Sequence, residues 1–205
     1  MAKKIYHYPL WTRLWHWINA LLCLALIITG ISMQFSEPER PLIPFDMAVT
    51  LHNAFAILLS LNYLFFLFAN RFSGNRRHYK ISEKNHSDLV LTQFRYYTVG
   101  IFQGEKAPFP VSENRKFNPL QKLSYIIIMY GCIPLILITG WAMLFPEIII
   151  KNVFGVSGLF LTDLLHIITG FIVSVFLIVH VYFCTMGATL LSTFKGMING
   201  WAEVH

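Results

Sequence analysis

The sequence predicts an all-α integral membrane protein: a bundle of four transmembrane helices with both termini on the cytoplasmic side. Three observations lead there. Of 205 residues, 56% are hydrophobic and only 13% are charged, a balance far from that of a soluble domain. Four apolar runs each exceed the roughly 20 residues a helix needs to cross a hydrocarbon core. Lysine and arginine gather at the N-terminus and in one of the three segments between runs, which sets the orientation.

Taken in order, residues 1–9 hold Lys3 and Lys4 but no cleavage-site pattern. The run behind them is too long and too aromatic for a signal peptide, so it reads as a retained anchor. The first helix covers about residues 10–33. A short loop at 34–47, with Pro38, Pro41 and Pro44, leads to the second helix at 48–70. The connecting segment 71–119 is long and polar. Within it, 88–102 reads as a surface helix lying in the interface or as an irregular loop, and 106–119, with Pro108 and Pro110 close together, as extended chain. The third helix covers 120–145, with Pro134 expected to kink it, which neighbouring helices tolerate. A second short loop at 146–158 leads to the fourth helix at 159–185. The whole chain, 1–205, is one membrane domain.

The two short loops hold only Arg40 and Lys151. The long segment holds Arg71, Arg76, Arg77, Lys80, Lys84, Arg95, Lys106, Arg115 and Lys116, with Lys122 at the mouth of the third helix; the N-terminus adds Arg13. The positive-inside rule therefore puts both termini and 71–119 in the cytoplasm. The same distribution turns the net charge of +6 away from nucleic acid and towards membrane lipid. Cys23, Cys132 and Cys184 each stand alone in an apolar run. No CxxCH and no iron–sulfur spacing is present, and each cysteine reads as a small buried apolar residue. Helices one and three share an echo, Leu26-Ile-Ile-Thr-Gly30 and Leu137-Ile-Thr-Gly140, each with a methionine three residues on. It reads as a faint repeat or as small-residue packing between membrane helices.

His7, His78, His86 and His205 lie in polar segments and read as solvated. His16, His52, His166 and His180 lie inside the apolar runs, where polar side chains are costly and point to function. His166 and His180 are fourteen positions apart. At about 100° per residue that returns to within roughly 40° of one direction, ~21 Å along the axis, most of the way across a hydrocarbon core of ~30 Å. One helix thus offers an imidazole near each membrane surface. Depth pairs His16 with His180 near the inner face and His52 with His166 near the outer face. Zinc or copper would need further ligands. None is expected within a turn of His16, His52 or His180, and only Asp163 lies three residues before His166. Two facing imidazoles instead fill both axial positions of a haem iron, leaving no open position for oxygen and favouring electron transfer. Gly30, Gly140 and Gly170 could let a flat ring approach the backbone or serve helix packing.

Arg13-x-x-His16-Trp17, Lys116-Phe-Asn118-Pro-Leu-Gln121-Lys122 and His166-x13-His180 resemble the four-helix di-haem cytochrome b subunits. These belong to respiratory formate dehydrogenases, nickel–iron hydrogenases and thiosulfate reductases. The resemblance covers all four spans and implies two b haems on the four histidines. It also implies a menaquinone or ubiquinone pocket beside the cytoplasmic haem, lined by Asn118 and Gln121 with His180 nearby. Arg13 and Lys122, at that level, become candidates for the haem propionates, or else interfacial anchors. An outer-face iron–sulfur or c-type cytochrome subunit and a catalytic subunit would be the partners, in a prokaryotic inner membrane. Segment 71–119 is longer than expected of the formate dehydrogenase type and looks more like the other two. Readings from other classes are a channel or metal transporter using membrane histidines, and a haem-free anchor for a soluble enzyme.

Overall fold

The computed structural model describes residues 3–37, 39–81, 86–110, 112, 115–187 and 189–204; Pro38, Lys84 and His205 lie outside them. In chain order the elements are β1 (Lys3–Tyr6), α1 (Leu10–Phe35), α2 (Phe45–Phe72), a 3-10 turn (Asn75–Tyr79), α3 (His86–Thr98) and a second 3-10 turn (Gly100–Gln103). There follow α4 (Pro119–Ile127), a π-helical turn (Ile128–Cys132), α5 (Ile133–Leu144), the short strands β2 (Asn152–Val153) and β3 (Val156–Ser157), α6 (Gly158–Cys184), α7 (Ser192–Asn199) and β4 (Trp201–Val204). Four helices are long and apolar enough to cross a membrane: α1, α2, α6 and the continuous span Pro119–Leu144.

The helix ends have local causes. α2 starts three residues earlier than its apolar run suggests, because the Pro44 carbonyl takes the Ala48 N–H at 2.8 Å and Asp46 favours the positive end of the helix dipole. α4 starts in a capping box: Asn118 Oδ1 accepts from the Gln121 N–H at 2.8 Å and Gln121 Oε1 accepts from the Asn118 N–H at 3.2 Å. Pro119 follows at the first helical position, where its missing N–H costs nothing. The disturbance expected at Pro134 takes the form of the π turn at Ile128–Cys132, within the turn that proline leaves short of a hydrogen bond. The middle segment forms a helix, α3, over His86–Thr98 rather than 88–102.

The chain divides into two compact units. The first comprises Leu14–Ala69 and Cys132–Leu177. Leu22, Cys23 and Leu59 form its core, with Leu26, Phe55 and Leu137 packed against them. Trp15 stacks on the fully buried Phe66 with ring centroids 4.5 Å apart. Ser32 fastens the loop between α1 and α2, its hydroxyl donating to Ile43 O at 3.0 Å and accepting from Ile43 N at 2.8 Å. Leu21, Leu61, Phe68 and Phe171 stay exposed, as lipid-facing side chains do.

The second unit comprises Met1–Arg13, Asn70–Gly131 and Ile178–His205. Here β1 pairs antiparallel with β4, Lys3 opposite Val204 and Tyr6 opposite Trp201, and the Tyr6 and Trp201 rings meet edge-on at 5.3 Å. α3 packs on α4. A string of side chains runs from the π turn, through the end of α2, into the polar segment. Asn70 donates to Tyr130 Oη at 2.7 Å, Asn75 to Asn70 Oδ1 at 2.8 Å, and Lys116 to Asn75 Oδ1 at 3.2 Å.

Candidate functional site

His52 on α2 and His166 on α6 meet inside the first unit, with ring centroids 6.3 Å apart and planes crossing at 66°. Each ring rests on a threonine from a neighbouring helix. Thr29 Oγ1 on α1 lies 2.8 Å from His52 Nδ1, and Thr139 Oγ1 on α5 lies 2.9 Å from His166 Nδ1. Both threonines are buried. Their hydroxyls point back along their own helices, Thr29 donating to Ala25 O at 2.8 Å and Thr139 to Leu135 O at 2.9 Å. A hydroxyl has one proton to give. With that proton committed to the carbonyl, each oxygen accepts from the histidine. Nδ1 of both rings therefore carries the proton, and both Nε2 lone pairs are left for a metal. Fixing the tautomer through the far nitrogen is how ligand histidines are oriented.

The residue after each threonine is a glycine, and at Gly140 its lack of a side chain matters. A Cβ on Gly140 would come 3.2 Å from His166 Cε1, and one on Gly30 would come 3.6 Å from His52 Cε1. The echoed threonines thus do one job twice, each setting the proton of a histidine, while the glycine makes room for the ring at Gly140; a Cβ at Gly30 would only touch the His52 ring at ordinary van der Waals distance. Metal–imidazole bonds of ~2 Å, with the ring radius added on each side, put two trans imidazole centroids about 6 Å apart, the separation found. Among the described residues no three His, Cys, Asp or Glu side chains converge on a metal position. Two imidazoles at one level, both in the ligating tautomer, fit a metal that brings its remaining ligands in its own macrocycle.

His180, on α6, belongs to the second unit. Its Nδ1 lies 3.4 Å from Tyr125 Oη, and the two rings meet edge-on at 5.9 Å. Cys184 Sγ lies 3.8 Å from its Nε2, so the expectation that no thiol lies about a turn from His180 is corrected. The helix places residues i and i+4 one above the other. His16 belongs to the first unit, on α1 between Trp15 and Trp17, whose rings lie 6.5 and 5.6 Å away. Its pairing with His180 stands on the depth argument from sequence.

Asn118 and Gln121 have defined local work, since they are the capping box of α4. Asn118 Nδ2 also donates to Tyr97 Oη at 2.9 Å, and the Tyr97 ring lies 4.4 Å from that of Phe183. Burial pushes the Tyr97 phenol up from its usual range. Arg13 Nη1 donates to Ile198 O in α7. Lys122 lies within electrostatic reach of His78. Thr29, Thr139, Tyr97 and Tyr125 were not singled out from sequence. The only signal for the threonines was the echo between helices one and three.

A family model described as prokaryotic cytochrome b561 matches residues 7–200. A protein of Escherichia coli (strain K12) described as a cytochrome, YdhU, is 37% identical over 200 residues, covering 98% of this chain and 75% of its own length. A protein of Azospira oryzae described as a protein-methionine-sulfoxide reductase subunit, YedZ1, is 26% identical over 147 residues, 67% of this chain and 70% of its own length. No solved structure matches.

Proposed function

The chain belongs to the prokaryotic cytochrome b561 family, a family of multi-pass inner-membrane electron-transfer cytochromes that bind haem b, and from that premise we propose that it is the di-haem, quinone-linked subunit of a respiratory oxidoreductase. The observation that carries this reading is the pair His52 and His166, each locked by a buried threonine with Nε2 available. Haem b, which His52 and His166 would hold, would supply a one-electron couple there.

His52 and His166 would hold the outer haem, and His16 and His180 the inner one. Asn118, with Tyr97 and Gln121 around it and His180 in the same unit, would line a pocket for menaquinone or ubiquinone on the cytoplasmic side. A quinone takes two electrons and two protons, so protons bound or released there would couple turnover to the membrane potential. The outer partner would be an iron–sulfur or c-type cytochrome subunit, itself joined to a catalytic subunit. The Azospira relative, described as a subunit of a reductase, supports a place in a larger complex. With the family shown, nothing observed favours a histidine-based channel, a metal transporter or a haem-free anchor.

The test is purification in mild detergent. The expected product is red, holds two haems b per chain, shows a split band on reduction, and is reoxidised by an added quinone analogue. A reduced protein that no quinone reoxidises would overturn the quinone link.

The threonines yield a further expected result. Thr139→Val removes the acceptor at His166 Nδ1 and lowers the basicity of the ligand. Two haems should remain, one midpoint potential should rise, and Thr139→Ser should restore it. A redox titration checks this; an unmoved midpoint would reduce Thr139 to packing.

A further inference from the structure

Lys116 is only 5% exposed, yet among the described residues no carboxylate meets it. Its Nζ donates to Asn75 Oδ1 at 3.2 Å and lies over the rings of Tyr8 and Phe117, at 5.0 and 5.5 Å from their centroids. An ammonium has three protons to donate, so two have no described oxygen to receive them. Asn75 is held in turn by Asn70, and Asn70 by Tyr130, which fixes the cation from one side. The Arg77 guanidinium adds to the positive field at Lys116. His78 feels Lys116, Arg77, His7 and Lys122 together; Arg77 Nε donates to His78 Nε2 at 3.3 Å; His7 Nε2 is bonded to Ser112 O at 2.9 Å.

Burying a cation without a counter-charge is costly. The cost is visible: burial, then the nearby Arg77, push Lys116 down to about 8. Burial, then Lys116 and its basic neighbours, push His78 down to about 4. A fixed, desolvated ammonium with spare donors, in the field of the Arg77 guanidinium, is what an oxyanion needs. Two aromatic rings link it to His180: Phe117 stands edge-on to Tyr125 at 5.0 Å, and Tyr125 edge-on to His180 at 5.9 Å.

We propose that Lys116 is the centre of an oxyanion site whose occupant is a propionate carboxylate of the haem held by His180. The assignment rests on the proposed function. A phospholipid phosphate shares the chemistry, but a headgroup would reach the exposed Arg77 before the enclosed Lys116. Arg13, the earlier candidate, is engaged by the Ile198 carbonyl.

In purified holo-protein, Lys116→Met should lower the midpoint of the component that His180→Ala removes, or lose that haem outright. Loss of a positive charge beside the carboxylate favours ferric iron. Lys116→Gln, which keeps an N–H for Asn75, should act in the same direction and covers the case in which Met unsettles the fold. Lys116→Arg should stay near wild type. Both haems in place with an unmoved midpoint in the Met and Gln variants would overturn the proposal. Loss of bound phospholipid phosphorus without a midpoint shift would also overturn it and give the site to a lipid. A wild type without haem would instead sink the proposed function.

Discussion

Alanine at His166 is expected to cut the haem content from two per chain to one, and alanine at His52 should remove the same haem. The two rings face each other with centroids 6.3 Å apart, and each is held in the ligating tautomer by its own threonine. An iron that loses one of two axial imidazoles has no nearby substitute, since no third His, Cys, Asp or Glu converges among the described residues. The double variant should be no worse than either single one, because both act on one cofactor. Haem extraction and optical redox titration read this out. Two single variants that abolish different spectral components would break the pairing.

The second large effect is at His180. His180→Ala should remove the other haem and abolish quinone-linked turnover, while leaving the component held by His52 and His166 reducible. By the depth pairing, His16→Ala does the same. The expected split between a lost quinone reaction and a retained outer component separates a missing cofactor from a collapsed fold. A purified His180→Ala protein with two haems per chain would refute the assignment.

The four spans were legible because lipid rewards nothing but long apolar runs, and run ends locate helix ends closely. The approach of His52 to His166 was legible for the same reason: a helix converts sequence spacing directly into depth. The work of Thr29 and Thr139 was not. A threonine in a membrane helix ordinarily satisfies itself on the carbonyl one turn back, and both do so. Nothing local tells that the oxygen also receives a histidine proton from another helix. The Thr-Gly echo therefore read as a faint repeat or as helix packing. The pairing of β1 with β4 joins the two ends of the chain, and four-residue strands carry no periodic signal strong enough to announce such a distant partner. Arg13 follows from that: its acceptor, the Ile198 carbonyl, sits in a helix near the C-terminus that the apolar pattern does not mark. Asn118 was legible twice over, through the resemblance and as a cap before Pro119, and the capping box is the part now seen in atoms.

The claim on which the rest depends is that pairs of imidazoles, and no other side chains, hold the iron. Electron paramagnetic resonance of the oxidised, purified protein tests it most directly, with the haem-to-chain ratio measured on the same sample. Two haems per chain and two low-spin ferric signals are the predicted result. A high-spin signal from iron with an open axial position, or a thiolate-type signal at the level of Cys184 and His180, would contradict it.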